Sequence, residues 1–259
     1  MGHVYASADW HGCGKVANQV LNWLKPDDTL YFLGDAIDRG PDGIEIFEKL
    51  INRPNTIFLC GNHEDMLAKA MPYLLNGSSS LYYGEMEAYH WFTNGGDETW
   101  KELGNKTREI IIEYRNKIYE MSKNAIYFSP LGHKVILEHA GFTPDNFDYR
   151  KGHDPLWDRN HFHDSWSKDK EFENVYLVHG HTPVQYLKFQ YGYKTMEPIT
   201  REERLHKHDW WKSKENTSPQ IIRYCNGHKF DIDMCTVVSK KIALLDLDTF
   251  EEIYFEEEE

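Results

Sequence analysis

An α/β fold, with a parallel sheet and a second sheet packed behind it, is what this sequence predicts, and three observations point there. Short β-type runs alternate with apolar residues at helical spacing over residues 4–60, the pattern of consecutive strand–helix units. Each of the three runs ends in polar residues: Asp9 and His11, then Asp35, Asp38 and Arg39, then Asn62 and His63. Further runs at 221–225, 230–232 and 236–245 read as closing antiparallel strands, so a second sheet is expected. The 259 residues are enough for one large domain and do not require two, so 1–259 is read as a single unit.

Residues 4–8 form the first strand, Asp9-Trp10-His11-Gly12 a loop, and 15–24 a helix by its apolar spacing. Residues 29–33 form the second strand and 34–40 a loop, after which Pro41 opens a helix with Ile44, Phe47 and Leu50 on one face. Residues 56–60 form the third strand, ending in Gly61-Asn62-His63-Glu64. Consecutive strands joined by helices pair in parallel through right-handed crossovers, so their carboxyl ends share one rim, where open α/β sheets gather their ligands. Three polar clusters at that rim form the strongest physical signal in the chain, because scattered surface polarity would not repeat there.

Residues 66–75 and 107–122 read as helices, separated by an aromatic, glycine-rich stretch that holds Tyr82, Tyr83, Tyr89, Trp91 and Trp100. Segment 66–124 is therefore a cap or a wall of the core. A hairpin at 125–128 and 135–137, turned by Ser129-Pro130-Leu131-Gly132, delivers Glu138-His139-Ala140-Gly141, and a strand at 175–178 delivers His179-Gly180-His181-Thr182-Pro183. Residues 186–216 are longer and more polar than a core connection requires. They interleave Lys188, Lys194, Arg201, Arg204, Lys207, Lys212 and Lys214 with Tyr191, Tyr193, Trp210 and Trp211. That suits a surface insertion lying against an anionic partner, and equally an ordinary solvated insertion.

Composition limits the partners. The formal charge is 29 − 42 = −13, which disfavours attraction to a nucleic-acid backbone or an anionic membrane. Part of the acidity is the glutamate run at 256–259, read as a solvated, frayed end. The amino terminus lacks a basic segment followed by an apolar stretch and cleavage site, and no run approaches the roughly 18 apolar residues of a membrane span. Cys13, Cys60, Cys225 and Cys235 lack paired CxxC spacing, so neither a zinc knuckle nor a disulfide framework is expected and a reducing cytoplasm is the simplest home.

A carboxylate and an imidazole one residue apart can turn toward a single ion, and the next strand's carboxylate can complete its coordination. Asp9, His11 and Asp35 would make one site in this way. Asp35 would bridge to a second ion held by Asn62, His139 and His181, with the two ions about 3.5 Å apart as in two-metal hydrolysis and a bridging water that is hydroxide near neutral pH. The mixed oxygen and nitrogen set, without thiolate, favours Mn, Fe or Zn over an all-oxygen calcium site, and Mn is the metal expected to activate in vitro.

Asp9-x-His11, Gly34-Asp35-x-x-Asp38-Arg39-Gly40 and Gly61-Asn62-His63-Glu64 together resemble the signature of the phosphoprotein phosphatase family of calcineurin-like metallophosphoesterases, in order and in spacing. His139-Ala140-Gly141, Leu156-Trp157-Asp158-Arg159 and Gly180-His181-Thr182-Pro183 resemble the remaining blocks, particularly of bacterial and phage phosphatases and symmetrical dinucleoside tetraphosphatases. One departure is Ala8, where glycine usually precedes the aspartate; alanine is small enough to leave the site intact. The resemblance runs from about residue 4 to 184. It implies a four-layer αββα sandwich of two mixed sheets flanked by helices, and two metals placed as above. It also implies His63 as general acid, Asp38 orienting that imidazole, and Arg39 and Arg159 gripping phosphate oxygens bidentately.

With 14 histidines most must be structural. His161-x-His163 is too short and isolated to be a third metal site, and His179, two residues before His181, would point the same way along an extended segment without belonging to the matching block. Glu64 reads as a helix-start or supporting residue rather than a catalyst, and Cys13 and Cys60 as buried thiols beside ligands. The leading expectation is a phosphatase acting on phosphoserine, phosphothreonine or phosphotyrosine in a protein or peptide, by direct water attack. The alternatives are a symmetrical dinucleoside tetraphosphatase, which the same metal core would serve, and a phosphate-binding module without chemistry, against which the complete ligand set argues.

Overall fold

Alternate residues of the central strands face opposite ways, and this sorts the chain into layers. In β1 (Val4–Ser7) Tyr5 faces one side while Val4 and Ala6 face the other, and in β2 (Thr29–Phe32) Leu30 and Phe32 oppose Tyr31. The computed structural model describes residues 2–76, 82–142, 154–163, 166, 168, 170–191 and 218–257. Within them β1, β2 and β3 (Thr56–Phe58) pair in parallel, joined by α1 (Gly14–Trp23) and α2 (Gly43–Asn52). Beyond β3 come α3 (Asn62–Asn76), α4 (Tyr82–Thr93), α5 (Asp97–Leu103) and α6 (Arg108–Glu120). The chain then enters a second sheet through β4 (Asn124–Phe128), β5 (Lys134–Glu138) and β6 (Val175–His179), followed by α7 (Val184–Tyr191), β7 (Ile222–Tyr224) and β8 (Lys229–Asp231). Finally β9 (Lys241–Asp246) and β10 (Glu252–Glu256) return to the first sheet, giving strand orders β10-β9-β1-β2-β3 and β4-β5-β6-β8-β7.

One face of the first sheet, with Tyr5, Leu30, Phe32, Ile242 and Leu244, packs on the apolar stripes of the helices: Val16 and Val20 of α1, Ile44, Phe47 and Leu50 of α2, Leu67 of α3 and Ile118 of α6. Phe32 is fully buried there between Trp10 and Phe58, each ring 4.9 Å away and edge-on, and burial of such a side chain contributes about 1.5–3 kcal/mol. The opposite face, with Ala6, Ala243 and Leu245, meets Val135, Leu137, Val178 and Phe230 of the second sheet. Ile136, Val175 and Leu177 point out from the far side of the second sheet onto Phe142 and Trp166, with Phe172 beside them. The two mixed sheets are thus stacked face to face with helices flanking them, as expected.

Three sequence readings change. The aromatic stretch after residue 81 is helical, as α4 and α5, with Trp91 fully buried against the helical core. Residues 236–239 form a helical turn rather than strand, and Lys241–Asp246, the part that is β, lies antiparallel to β1 in the first sheet and not in the second. Most consequential, β8 is not antiparallel to its inner neighbour: it runs parallel to β6, with His179 opposite Asp231. Its carboxyl end therefore reaches the same rim as those of β5 and β6. Of the segment 186–216, residues 192–216 lie outside the described residues, as do the side chains of Lys188 and Tyr191. No helix among the described residues is long and apolar enough to cross a membrane.

Candidate metal centre

At the rim the backbone turns left-handed repeatedly: φ is +57° at Asp9, +43° at His11, +61° at Asp35, +71° at Asp38, +67° at Arg39 and +68° at His181. Outside glycine such conformations cost of order 1–3 kcal/mol and persist only where the surroundings fix them. Here they are fixed by backbone bonds between the first two loops, Asp9 N to Gly34 O and His11 N to Asp35 O at 3.0 Å, Gly12 N to Ala36 O at 2.9 Å and Gly40 N to His11 O at 3.0 Å. The close packing extends across the two sheets. A Cβ on Gly180 would lie 2.0 Å from Asp9 Oδ2 and 2.8 Å from the Ala8 methyl, so the residue before His181 must be glycine for His181 N to reach Asp9 Oδ2 at 3.0 Å.

Asp35 is the centre of the arrangement. Its Oδ1 accepts from His63 N at 3.0 Å, while Oδ2 faces His139 Nε2 at 3.5 Å, His11 Nε2 at 3.6 Å and His63 Nε2 at 3.9 Å. Two groups with the convergence expected of metal ligands share it: His11, Asp35 and His63, and Asp35, His139 and His181, all buried. Burial alone would raise the Asp35 carboxyl, but His139, His63 and His11 together outweigh it and hold the group well below the usual carboxylate range.

The donor set fits a cation. His11 Nδ1 donates to Ile37 O at 3.0 Å and His139 Nδ1 to Leu33 O at 2.7 Å, and burial pushes both imidazoles below their ordinary pKa, so each is neutral. Their Nε2 lone pairs consequently confront a carboxylate oxygen with no proton between. Asn62 Oδ1 sits 2.8 Å from His139 Nε2 and 2.9 Å from His181 Nδ1, bringing further acceptors to the same place. Asp9 is buried and lies in the field of Asp233 and Asp35, which drives its carboxyl well above the usual range unless a positive charge is supplied. So many converging acceptors are stable together around a divalent ion.

Beside them His63 Nδ1 donates to Asp38 Oδ2 at 2.7 Å, and Trp91 Nε1 donates to the same oxygen at 2.9 Å. Burial lowers the His63 pKa, but Asp35 and Asp38 more than reverse it, so the imidazole is easier to protonate than usual. Arg39 reaches in with Nη1 2.8 Å from His11 Nε2 and Nη2 3.0 Å from His63 Nε2. Arg159 donates from Nε to Thr182 Oγ1 at 3.0 Å, next to His181. Both arginines are exposed residues while the groups they border are buried.

The profile of the calcineurin-like phosphoesterases matches residues 2–228. The chain belongs to that family. It is 26% identical over 167 residues to serine/threonine-protein phosphatase 2 of Salmonella typhimurium, covering 61% of this chain and 68% of that protein. It is 38% identical over 65 residues to the symmetrical bis(5'-nucleosyl)-tetraphosphatase of Proteus mirabilis, a match spanning 23% of each. Among solved structures, a protein serine/threonine phosphatase from Saccharomyces cerevisiae superposes with a TM-score of 0.51 at 13% identity, covering 100% of this chain and 81% of that one. A crystal structure described as a candidate diadenosine tetraphosphatase gives 0.57 at 12% identity, covering 100% and 95%. At those identities the superpositions establish the fold.

In this calcineurin-like phosphoesterase the structure thus brings Asp9, His11, Asp35, Asn62, His63, His139 and His181 together, with Asp38, Arg39 and Arg159 around them. His179 turns elsewhere: its Nδ1 meets Gly180 O at 3.1 Å and its Nε2 the Tyr224 hydroxyl at 2.7 Å. His161 is likewise occupied with Ala140 O at 2.9 Å, and the side chain of His163 lies outside the described residues. Two carboxylates carry more than the sequence reading gave them. Glu64, fully buried, accepts the amides of Asp35 at 2.8 Å, Ala36 at 2.9 Å and Gly61 at 3.1 Å, which holds the Asp35 loop. Asp233 lies just beyond the carboxyl end of β8, and burial raises its carboxyl to about 7. The signal that would have found Asp233 is the one that found the others, a carboxylate just after an apolar run; taking β8 as antiparallel to its neighbour hid it.

Proposed function

We propose that this protein is a two-metal phosphomonoesterase whose substrates are phosphoserine and phosphothreonine in proteins, with phosphotyrosine within its range. The observation that carries this is that Asp35 belongs to two buried clusters, His11–Asp35–His63 and Asp35–His139–His181. Asp9, whose Oδ2 accepts from His181 N, takes the place of His63 in the first ligand set, because His63 is paired with Asp38 and faces the Arg39 guanidinium. Asp9, His11 and Asp35 would hold one ion, and Asp35, Asn62, His139 and His181 the other. Such ions supply Lewis acidity toward phosphoryl oxygens and lower the pKa of water to near 7.

Arg39 and Arg159, exposed at the edge of a buried site, bind the phosphate oxygens as the substrate enters. A guanidinium only donates, so with Arg39 Nη2 against His63 Nε2 that nitrogen holds a lone pair. Phosphate draws the guanidinium away and leaves Nε2 able to carry a proton. Asp38 keeps Nδ1 as the other N–H, so Nε2 is the atom that protonates the leaving alkoxide. The buried position of His63 and Asp38 excludes bulk water from that transfer.

The longer match to the Salmonella phosphatase supports the protein substrate. One feature favours the dinucleoside tetraphosphate reading: Trp157 lies edge-on to His181 at 5.6 Å and stacks on His90 at 5.7 Å, an aromatic wall able to receive a base. Mn-dependent phosphate release from p-nitrophenyl phosphate and phosphopeptides, run beside diadenosine tetraphosphate with product identification, separates the two. Phosphopeptide turnover with an inert dinucleotide supports the first reading, and symmetric cleavage to two nucleoside diphosphates replaces it by the second. Failure on all three with Mn bound leaves a phosphate-binding module. Manganese as the working metal, a cytoplasmic setting and a single domain over 1–259 complete the proposal.

A further inference from the structure

Two turns carry ligands from the second sheet, His139-Ala140-Gly141 after β5 and Gly180-His181 after β6, and a buried chain of side chains joins them. His161 Nε2 donates to Ala140 O at 2.9 Å, directly after one ligand. His179 Nδ1 donates to Gly180 O at 3.1 Å, directly before the other. That leaves His179 Nε2 as an acceptor for the Tyr224 hydroxyl at 2.7 Å, and the same hydroxyl lies 3.4 Å from His161 Nδ1. Burial keeps His179 neutral, with its pKa down at about 3, and raises the Tyr224 phenol well above its ordinary range, so each keeps its role across the working pH. Lys229 Nζ braces the far end by donating to His161 O at 2.8 Å. The fit is tight: at Gly141, where φ is +86°, a Cβ would lie 2.9 Å from His179 Cγ and 3.0 Å from His161 Cε1.

We propose that Tyr224 is a positioning residue for the second ion. Its hydroxyl gives its one proton to His179 Nε2 and so fixes that ring edge-on against His161, with 5.0 Å between the ring centroids. This contact keeps the two turns in the relative position at which His139 and His181 face one cation together with Asn62. The inference rests on the two-metal reading above. Apolar side chains of similar shape would fill the same space without the cost of burying three polar groups. What they would not supply is a link ending on the carbonyl next to each ligand. The direct bond between the turns, Gly180 N to His139 O at 2.9 Å, fixes one point; the Tyr224 chain adds the second point that stops rotation about it. Outer partners of metal ligands typically govern 10- to 100-fold in affinity.

The test is Mn²⁺ titration of the full chain after chelator stripping, by calorimetry with ion counting, for wild type, Tyr224→Phe, His179→Asn and His181→Asn. Tyr224→Phe should weaken the second ion about 10- to 100-fold and leave the first unchanged. Its kcat at saturating Mn²⁺ should recover to near wild type, so that the loss appears in the metal activation constant. His179→Asn, which keeps a donor near Nδ1 and lacks Nε2, should show the same selective loss and decides the matter should Tyr224→Phe not fold. Wild-type affinity for both ions in these variants overturns the proposal. So does equal weakening of both ions in step with a lower apo melting temperature, because that is a loss of fold. Wild type and His181→Asn separate the two layers: wild type binding fewer than two ions ends the two-metal reading, and His181→Asn holding both ions at wild-type affinity removes the second site that the Tyr224 role depends on. Loss of one ion in His181→Asn with none in Tyr224→Phe and His179→Asn removes only the role given to Tyr224.

Discussion

The two sheets deliver the residues of the candidate metal centre to the same rim by different physical means. At the ends of β1, β2 and β3 the side chains are aimed by backbone: positive φ at Asp9, His11, Asp35, Asp38 and Arg39, cross-bonded main chains, and the Glu64 carboxylate collecting three amides. At the ends of β5 and β6 only His181 among the proposed ligands has positive φ, and beside the main-chain bond from Gly180 N to His139 O the fixing groups are the side chains of His161, His179 and Tyr224. In the first arrangement each cluster of candidate ligands sits within one short turn, though the main-chain bonds that aim it cross to another turn, whereas the second draws its side chains from whichever strands pass. The first arrangement resists substitution of its surroundings and fails when a ligand is lost; the second is open to damage from a distance.

The largest effect expected from that contrast is at the residue both halves share. Asp35→Asn keeps the shape of the loop, because the amide oxygen can still accept from His63 N, but removes the charge at the point where the imidazoles converge. Elemental analysis should find metal depleted, and turnover should fall on the order of 10⁴-fold, several kcal/mol of transition-state stabilisation being lost with the ions. Two tightly held ions with near-normal activity would separate the halves and end the idea of a bridge. Next is His63→Asn, with a loss of about 10²- to 10⁴-fold while metal content stays intact. The loss should be smallest for p-nitrophenyl phosphate, whose leaving group needs no proton. An equal loss on alkyl phosphates and the nitrophenyl ester would count against the general-acid role.

The same contrast explains what was legible in the sequence. Asp9/His11 and Asp35/Asp38/Arg39 are legible because each lies in a contiguous loop after a recognisable strand, and Asn62/His63 because they open α3 shortly after β3. His139 and His181 were found through their short blocks, but nothing near them pointed to Tyr224, which is 45 residues from its partner His179. Parallel β8 was missed for a related reason: its three residues, Lys229–Asp231, are too few to show a period, and register with β6 is a tertiary property. The helices α4 and α5 were obscured because aromatic residues and glycines weaken helical spacing, while burial of Trp91 against the core, which stabilises α4, is invisible before folding.

Glu64→Gln tests whether backbone fixing matters as much as the ligands themselves. The carboxylate uses Oε2 for Asp35 N and Gly61 N, and Oε1 for Ala36 N. A glutamine must turn its NH₂ toward one of these donors, so at least one amide is left buried without a partner, costing about 1–3 kcal/mol. Metal affinity should drop about 10- to 100-fold by the same logic that applies to Tyr224, but here for both ions, because Asp35 serves both. Loss of one ion only, in calorimetric titration, would show that the Asp35 loop holds its shape without Glu64.

The smallest effect concerns Asp38→Asn, and its signature is a shift in pH dependence. Asp38 binds no proposed ion; it accepts from His63 Nδ1 and from Trp91 Nε1, and its negative charge is one of the two that raise the His63 pKa against burial. A general acid works only while protonated, so kcat falls as pH rises through the pKa of His63 in the substrate complex. Asparagine keeps an oxygen for the Nδ1 hydrogen bond but removes the charge, so the His63 pKa moves down and the falling limb of kcat moves to lower pH. Below that limb the variant should retain activity within about tenfold of wild type, and the deficit should widen as pH increases through the displaced pKa. Metal content should not change, since the residues around Asp35 are untouched. A uniform loss across all pH values, with the limb where wild type has it, would show that Asp38 only positions the ring; a limb moved upward would contradict the charge argument altogether.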